Sequence, residues 1–308
     1  MAEPLKSRHA NLIDPETAPR PRIKELEVMV AEVIRETPDS ATIVLFTGND
    51  RLEYQPGHFL TIRPQQFPSL DRFCKFFEDV KGRKEPARAY SLCSAPHERQ
   101  LAVTVKEERY VSGVTKFPPL LSPMLVWRLS PGMRMVVTGF GGPYTLPADI
   151  DSRTDHLVHI CAGSGIVPNL SILKHCLANG MKLRHTLIYG NKTWEDIIFQ
   201  RQLEDLARQY PDKLRIVHTL SREAREARAS SGAGEVRNGR VSEALIREVI
   251  PDPTGVEVFA CGPGVGKFER QAAKEKGEEP APRFLETTLE ALENHGVPDE
   301  RIHRESYG

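Results

Sequence analysis

Three side chains with complementary chemistry lie close together in the run Arg88-Ala89-Tyr90-Ser91. In a β-strand Arg88 and Tyr90 point to one face, so a guanidinium can fork onto a phosphate while the phenol ring lies against a planar ring system. Ser91 points elsewhere, toward the edge of such a ring. The pattern suits a flavin, and the alternative is an edge strand whose Arg and Tyr cover a core.

A glycine turn follows a second apolar run. The stretch Ala162-Gly163-Ser164-Gly165-Ile166-Val167-Pro168 joins the predicted strand 156–161 to the predicted helix 168–179. Glycines at such a junction let the backbone approach a pyrophosphate at the helix N-terminus. Because the turn is not a full G-x-G-x-x-G motif, an ordinary tight turn is the alternative.

Two more strand ends carry groups that suit a nucleotide. Ser221 and Arg222 follow the predicted strand 214–220, and a hydroxyl with a guanidinium suits the 2'-phosphate of NADP, whereas an acid there would favour NAD. The alternative is a solvated arginine that begins a charged loop. Cys261 precedes a glycine turn, and its thiol either lies against a planar ring or is a buried structural cysteine.

The first half of the chain contains the elements that must hold Arg88 and its neighbours. Short β-rich runs separated by Pro, Gly and Asn or Asp turns predict an antiparallel barrel or sandwich. An amphipathic helix is predicted between Pro68 and Gly82, where it covers the barrel. Ser122 is predicted to cap a second helix, with Pro123 at its first position, and that helix N-terminus suits a diphosphate. The predicted strands are 26–34, 41–47, 59–63, 88–92, 101–106 and 133–138.

In the second half strands and helices alternate, which predicts a parallel sheet with flanking helices. The predicted strands are 156–161, 185–189, 214–220 and 256–261, and the predicted helices are 168–179, 196–209, 242–249 and 283–295. The segment 264–282 is interpreted as a charged insertion. We therefore predict a flexible leader (1–22), an antiparallel barrel or sandwich domain (23–152) and an α/β parallel-sheet domain (153–308).

Composition limits the classes of partner. The 42 basic and 42 acidic residues give a formal net charge of 0 at pH 7, so no global field favours nucleic acid or a membrane surface. No apolar run approaches the roughly 18 residues that span a bilayer, and the first residues lack a signal-peptide core. These features predict a cytoplasmic protein.

The cysteines predict free thiols rather than a disulfide framework. They number five and are widely spread, as suits a reducing compartment. They also lack the C-x4-C-x2-C run of a plant-type two-iron cluster. His156, His159 and Cys161 share one predicted strand but have no fourth ligand nearby, so we predict no metal site.

In their order along the chain, these motifs resemble those of the ferredoxin-NADP reductase family. The resemblance covers about residue 26 to the end. It implies that the domain 23–152 is an antiparallel β-barrel that binds flavin and that the α/β parallel-sheet domain 153–308 binds a pyridine nucleotide. It is carried by Arg88-Ala89-Tyr90-Ser91, the Ser122 helix, Ala162-Gly163-Ser164-Gly165-Ile166-Val167-Pro168, Tyr189-Gly190-Asn191, Ser221-Arg222, Cys261-Gly262-Pro263 and the terminal Glu305-Ser306-Tyr307.

The resemblance implies a role for each of these residues. For the flavin it implies phosphate binding by Arg88, stacking by Tyr90, a hydrogen bond near N5 from Ser91, diphosphate binding by Ser122, and contacts from Ala89 and Val105. For the nucleotide it implies pyrophosphate binding by Gly163, Ser164 and Gly165, 2'-phosphate binding by Ser221 and Arg222, and a nicotinamide site at Cys261, Gly262 and Pro263. Tyr307 would cover the flavin, and Glu305 would offer a proton route.

By the same resemblance, NADPH would reduce a bound flavin, expected to be FAD with FMN as the alternative. The flavin would then pass single electrons to a separate iron-sulfur protein, such as a ferredoxin that serves an oxygenase. Two alternatives stay open: a flavin reductase that uses NADH, and a flavin-binding regulatory subunit with little turnover.

Overall fold

The computed structural model describes residues 25–48, 52–110, 112, 115, 117–223 and 234–307. Over these ranges an antiparallel sheet is followed along the chain by a parallel sheet, so the predicted two-domain fold is confirmed. The predicted leader, 1–22, lies outside the described residues.

Six antiparallel strands form the first sheet: β1 (Glu25–Thr37), β2 (Ser40–Phe46), β3 (Phe59–Ile62), β4 (Arg88–Ser91), β5 (Leu101–Lys106) and β6 (Arg134–Gly141). Their order across the sheet is β4-β3-β6-β1-β2-β5. The two end strands meet at an antiparallel bridge between Leu92 and Val103, next to a hydrogen bond of 2.9 Å from the Cys93 N–H to the Ala102 carbonyl. This bridge joins the ends of the sheet and closes it into a barrel.

The inside of the barrel is filled by branched aliphatic side chains. Ile43 and Leu45 of β2, Leu60 and Ile62 of β3, and Val103 of β5 have no accessible surface. The two residues from β2, like the two from β3, are two positions apart, as expected when alternate side chains of a strand point to the same face. The core therefore holds β3 and β4 in place, and with them Arg88-Ala89-Tyr90-Ser91.

Helix α1 (Asp71–Lys81) precedes β4, as predicted, and ends at Gly82, whose φ is 64°. The buried stripe of this segment runs through Leu70, Cys74 and Phe77, at the i, i+4 and i+7 spacing of a helix face. Phe73 and Val80 continue the apolar spacing of three and four residues along this segment. They lie beside the buried stripe, however, and are exposed.

Helix α2 (Leu121–Trp127) corrects the prediction for Ser122. The helix begins at Leu121, so Ser122 lies inside the first turn, and no side chain caps it. The Ser122 hydroxyl accepts a hydrogen bond of 3.1 Å from the Glu108 N–H instead. The capping prediction was wrong because this loop offers a donor that local sequence does not indicate.

Six parallel strands form the second sheet: β7 (His156–Ala162), β8 (Arg184–Asn191), β9 (Leu214–Leu220), β10 (Glu235–Asn238), β11 (Val256–Pro263) and β12 (Ile302–Tyr307). Their order is β10-β9-β8-β7-β11-β12. From the central strand β7 the chain first adds β8, β9 and β10 on one side, and then returns to add β11 and β12 on the other side. This reversal is the topological switch point at which open α/β sheets bind ligands, beyond the carboxyl ends of the strands.

The second half also contains six helices among its described residues: α3 (Ile150–Arg153), α4 (Ile166–Ala178), α5 (Gln200–Gln209), α6 (Glu243–Val249), α7 (Lys267–Lys276) and α8 (Phe284–His295). Helix α6 is capped by Ser242, whose hydroxyl accepts the Leu245 N–H at 3.3 Å. The predicted end of α8 at Gly296 is present. No described helix combines the length and the apolar character needed to cross a bilayer.

Sequence reasoning missed four of the described β-strands and α-helices, one of which is the short helix α3. Strand β10 lies within the segment predicted as a charged loop, and β12 is a half-exposed edge strand with polar residues. Helix α7 lies within the segment 264–282, which was interpreted as a charged insertion and to which no helix was assigned. Each lacks the apolar periodicity on which the predictions depended.

The two halves are joined by buried and charged contacts. Ser171 of α4 donates to the Ser94 carbonyl at 2.6 Å, and Lys174 pairs with Glu98 at 2.5 Å. The Phe199 N–H donates to the Glu36 carboxylate at 3.2 Å, and Phe199 is the one non-glycine residue with positive φ among the described residues. These bonds hold the barrel against the helical layer on one face of the parallel sheet.

Gly57 generates a stability prediction. Its φ is 96°, and a Cβ at this position would lie 2.0 Å from the Tyr144 carbonyl oxygen. Gly132 has a similar φ of 90°, and a Cβ there would meet nothing within 4 Å, so it is the matched control. We expect Gly132→Ala to cost about 1–2 kcal/mol of unfolding free energy and Gly57→Ala to cost more, because overpacking adds about 1–3 kcal/mol. Urea unfolding measures both, and equal losses would contradict the packing argument.

Candidate functional site

Side chains from both halves of the chain meet beyond the carboxyl ends of β11 and β12. The Tyr307 hydroxyl donates to the Ser91 Oγ at 2.5 Å, and Ser91 and Tyr307 both approach the Glu305 Oε2 at 3.4 Å. Ser91 and Glu305 are 214 residues apart in sequence. We call Ser91, Glu305 and Tyr307 the junction cluster.

Strand pairing explains how these groups come together. In the register of β11 with β12, Cys261 pairs with Glu305 and Pro263 pairs with Tyr307. Because side chains alternate along a strand, Glu305 and Tyr307 point to the same face, the one that meets the end of β4. The four residues implied as catalytic, Ser91, Cys261, Glu305 and Tyr307, therefore lie in one place.

Burial raises the pKa values of the ionisable groups here. It raises the pKa of Glu305, against the lowering effect of hydrogen bonds from Tyr307 and Ser91. It also raises the pKa of the Cys261 thiol well above its ordinary value, and the nearby Glu305 raises it further. The pKa of the Tyr307 hydroxyl is raised well above its usual range by burial as well. At neutral pH the thiol and the phenol are neutral, so Cys261 is not a thiolate nucleophile.

On the barrel side, Tyr90 is half-buried and packs against the core, whereas Ala89 is exposed. The Arg88 guanidinium donates to the Glu85 carboxylate at 3.0 Å and to the Pro86 carbonyl at 2.9 Å. A guanidinium has five N–H donors, so several remain for a phosphate. The Val105 side chain is buried in the barrel core, which leaves only its backbone for a ligand.

On the nucleotide side, the turn at Gly163–Gly165 lies tightly against β11. A Cβ on Gly165 would lie 2.0 Å from the Cys261 carbonyl oxygen, so only glycine fits there. The Gly163 carbonyl accepts the Tyr189 hydroxyl at 2.9 Å. Helix α4 then begins without a side-chain cap or an acid in its first turn. Its N–H groups and positive dipole end are therefore available to an anion such as a pyrophosphate.

Ser221 and Arg222 lie beyond the carboxyl end of β9, next to the end of β8. Their backbone N–H groups bond to the Asn191 and Lys192 carbonyls at 3.0 and 2.7 Å. Both side chains are exposed, and Arg222 forms no ion pair with the described part of the chain. This position leaves the guanidinium accessible to a phosphate.

Two buried side-chain atoms near this position form no hydrogen bond within the described part of the chain. The Asn191 Nδ2 and the Thr219 Oγ1, at the ends of β8 and β9, are buried and lack a hydrogen-bond partner among the described residues. Buried polar groups without partners are uncommon in folded proteins and call for a missing ligand or water. Together with the turn, the uncapped helix and Arg222, they form a donor set that fits a dinucleotide along the edge of the sheet.

A cavity lies at the opposite edge of this sheet. It has a volume of about 540 Å³ and is lined by residues at the amino ends of the strands, among them His156, Arg184 and Lys213. Its charges are of both signs. Ligands of open α/β sheets bind at the carboxyl ends, so we place the functional site at the junction cluster and not in this cavity.

Sequence reasoning missed three residues that bear on the site. Glu85 fixes Arg88, Asn169 is a fully buried amide in α4, and Tyr144 is a buried tyrosine that donates to Asn169 at 3.1 Å. Each had a sequence signal: an acid three residues before Arg88, an amide within an otherwise apolar helix, and a tyrosine next to the glycine loop 139–142.

Comparison with known proteins gives one family match and several relatives. A family model for an oxidoreductase NAD-binding domain matches residues 159–272. The chain is 34% identical, over 92% of its length, to the ferredoxin reductase component of 3-ketosteroid-9-alpha-monooxygenase from Mycolicibacterium smegmatis. It is 30% identical, over 90% of its length, to the component of the same description from Rhodococcus rhodochrous. The chain spans 65% and 64% of the lengths of these two relatives.

Solved structures share the fold at low sequence identity. The FAD/NAD-binding domain of nitric oxide dioxygenase from Vibrio cholerae has a TM-score of 0.66 at 22% identity, covering 92% of this chain and 99% of that one. Ferredoxin-NADP+ reductase from Plasmodium falciparum has a TM-score of 0.64 at 18% identity, covering 93% and 100%.

A closed antiparallel barrel followed by a parallel sheet is the two-domain fold that this chain shares with these solved structures. The chain is therefore similar to ferredoxin reductase components over 90% or more of its length, and its residues 159–272 match the oxidoreductase NAD-binding domain model.

The junction cluster generates a pH prediction for stability. Glu305 has a folded-state pKa raised above its ordinary value of 4.5, so ionising it costs more in the folded than in the unfolded chain. The stability that it contributes is present below the unfolded pKa and is lost as pH rises through the folded pKa. Glu305→Gln should therefore unfold at a higher urea concentration than the unsubstituted protein at pH 8.

The gain from Glu305→Gln should shrink as the pH falls toward 4, since both proteins are then neutral at this position. The exposed Glu290 on α8 provides the control, Glu290→Gln, for which we expect little change at either pH. A loss of stability in Glu305→Gln at pH 8 would contradict the argument from burial.

Proposed function

We propose that the chain is an NADPH-dependent flavoprotein reductase that passes electrons from its flavin to a separate iron-sulfur protein. The observation that carries this proposal is the junction cluster, in which Ser91 of the barrel meets Glu305 and Tyr307 of the parallel-sheet domain beside Cys261. The M. smegmatis relative, a ferredoxin reductase component of a monooxygenase, supports an acceptor that serves an oxygenase.

When bound together, a flavin and a reduced nicotinamide supply hydride transfer from nicotinamide C4 to flavin N5 and the later release of single electrons. The chain's residues orient the two rings and exclude water. Tyr90 offers a planar surface in the barrel, and Cys261 offers a small neutral side chain at the switch point, where a second ring can approach. No side chain is required as a nucleophile, so the protonated state of Cys261 agrees with this role.

Ser91 and Glu305 suit the handling of a proton at the flavin edge. The Ser91 hydroxyl accepts from Tyr307 and donates to Glu305, so it is held in one orientation. Burial raises the pKa of the Glu305 carboxyl, and this group lies within hydrogen-bond distance of the serine oxygen, with which it can exchange a proton. The cluster thus offers a route for the proton that accompanies flavin reduction.

For the nucleotide we propose NADPH, because Arg222 presents an exposed guanidinium beside the Ser221 hydroxyl, where a 2'-phosphate would lie. An NADH-dependent reductase is the second candidate. The observation behind this candidate is Glu223, the residue after Arg222, because an acid at this strand end is typical of enzymes that bind the ribose hydroxyls of NADH. The Glu223 carboxylate accepts the Trp194 N–H at 3.1 Å. For the flavin we propose FAD, with FMN as the alternative, and a cytoplasmic location agrees with the five free cysteines.

The first test is spectroscopic. We expect the purified protein to be yellow and its flavin absorption to bleach when NADPH is added under anaerobic conditions. A flavin that is present but is not bleached by NADPH or NADH would favour a binding subunit over a reductase. A colourless protein that cannot be reconstituted with FAD or FMN would contradict the proposal.

The second test separates the two nucleotides. Arg222→Ala should raise the KM for NADPH by about 10-fold to 100-fold, as expected for the loss of a charge-assisted hydrogen bond to phosphate. The KM for NADH should change little. Arg201→Ala, an exposed arginine on α5, is the matched control and should leave both values unchanged. Equal effects of Arg222→Ala on NADPH and NADH would rule out the NADPH assignment.

A further inference from the structure

A line of buried polar side chains crosses the parallel-sheet domain behind the pyrophosphate turn. The Tyr144 hydroxyl donates to the Asn169 Oδ1 at 3.1 Å, and the His159 Nδ1 lies 2.9 Å from the same oxygen. The His159 Nε2 lies 3.2 Å from the His185 Nδ1. Each of these four residues has at most 2% of its surface exposed to solvent. Burying four polar groups is costly unless every one is hydrogen-bonded, so this line has a strict internal order.

Asn169 sets that order. Its Nδ2 donates to the Gly165 carbonyl at 2.8 Å, and the flipped amide would place its oxygen against that carbonyl oxygen. The Asn169 Oδ1 therefore faces Tyr144 and His159, and since it can only accept, both must donate to it. The proton of His159 is thus on Nδ1.

The histidines complete the line as neutral groups. Burial lowers the pKa of His159 to about 4, so its Nε2 carries no proton at neutral pH and must accept. The donor to it is the His185 Nδ1–H, and burial likewise lowers the pKa of His185 well below its usual range. The hydrogen bonds therefore run in one direction, from His185 through His159 and Asn169 to the Gly165 carbonyl.

The line ends at functional atoms. Gly165 is the last residue of the turn that faces the pyrophosphate site, and Asn169 holds its carbonyl from within α4. Tyr144, which also donates to Asn169, packs in one hydrophobic cluster with Cys261 and Tyr307. An ordinary apolar residue at position 169 would fill the space but would leave the Gly165 carbonyl without this donor.

We propose that Asn169, oriented by His159, is a positioning residue that holds the Gly163–Gly165 turn in the conformation that binds the pyrophosphate of the nicotinamide nucleotide. This inference rests on the proposed nucleotide site. It predicts that loss of the Asn169 amide weakens ligands with a pyrophosphate and spares those without one.

The experiment measures dissociation constants by calorimetry on the purified, flavin-loaded protein. The probes are NADP+, which contains the pyrophosphate, and adenosine 2'-monophosphate, which lacks it. Asn169→Leu should weaken NADP+ by about 10-fold, the equivalent of one lost hydrogen bond, and should leave adenosine 2'-monophosphate within about twofold. Tyr144→Phe is the matched control: it removes a hydrogen bond of the same line but keeps the Asn169 amide on Gly165, so NADP+ affinity should change less than about twofold.

Asn169→Ala provides a second variant in case Asn169→Leu does not fold. The smaller side chain avoids overpacking and, like Leu, has no donor for the Gly165 carbonyl. We expect the same selective loss of NADP+ binding. Equal losses for both probes, no loss for NADP+ in the folded Asn169 variants, or an equal loss in Tyr144→Phe would overturn the inference. Failure of the unsubstituted protein to bind either probe would instead reject the proposed nucleotide site.

Discussion

The hydrogen bonds among Ser91, Tyr307 and Glu305 are the constraint on which the arrangement of the two halves depends. Ser91 is buried and Glu305 is largely enclosed, so each needs a partner, and each finds it in the other half of the chain. Separating the barrel from the parallel sheet would leave these groups unpaired or return them to water. The same contact that holds the halves together therefore brings the end of β4 to the switch point of the second sheet.

Two kinds of buried ionisable group bear on the site: some have pKa values that burial raises, and one carboxylate is paired with cationic side chains. At the junction cluster, burial raises the pKa values of Glu305, Cys261 and Tyr307, so the protonated forms are favoured. Glu85 is also buried, but it is paired with Lys81 and Arg88. The two cationic partners compensate the charge of this buried carboxylate, and the pairing fixes the arginine beside the barrel strand. A neutral junction and a charged barrel edge suit a flat ring at one place and a phosphate at the other.

Much of the architecture was predictable because it follows from local periodicity. Strands such as Leu101–Lys106 and Leu214–Leu220 have the predicted bounds, since their apolar residues are set by strand geometry. The absence of a cap at Ser122 was not predictable, because the partner of its hydroxyl, the Glu108 N–H, comes from a loop 14 residues away in sequence. Strand β12 was missed for a similar reason: its extended form is imposed by pairing with β11 and not by its own polar sequence.

The sequence by itself determined the two kinds of sheet, the glycine turn after β7 and the residue types at the strand ends, because these depend on neighbours within a few positions. Only the tertiary structure decided that Ser91 meets Glu305 and Tyr307, that Glu85 holds Arg88, and which way the Asn169 amide points. The physical reason is that a hydrogen bond depends on distance and direction in space. Residues 214 positions apart acquire both only when two cores have packed against each other.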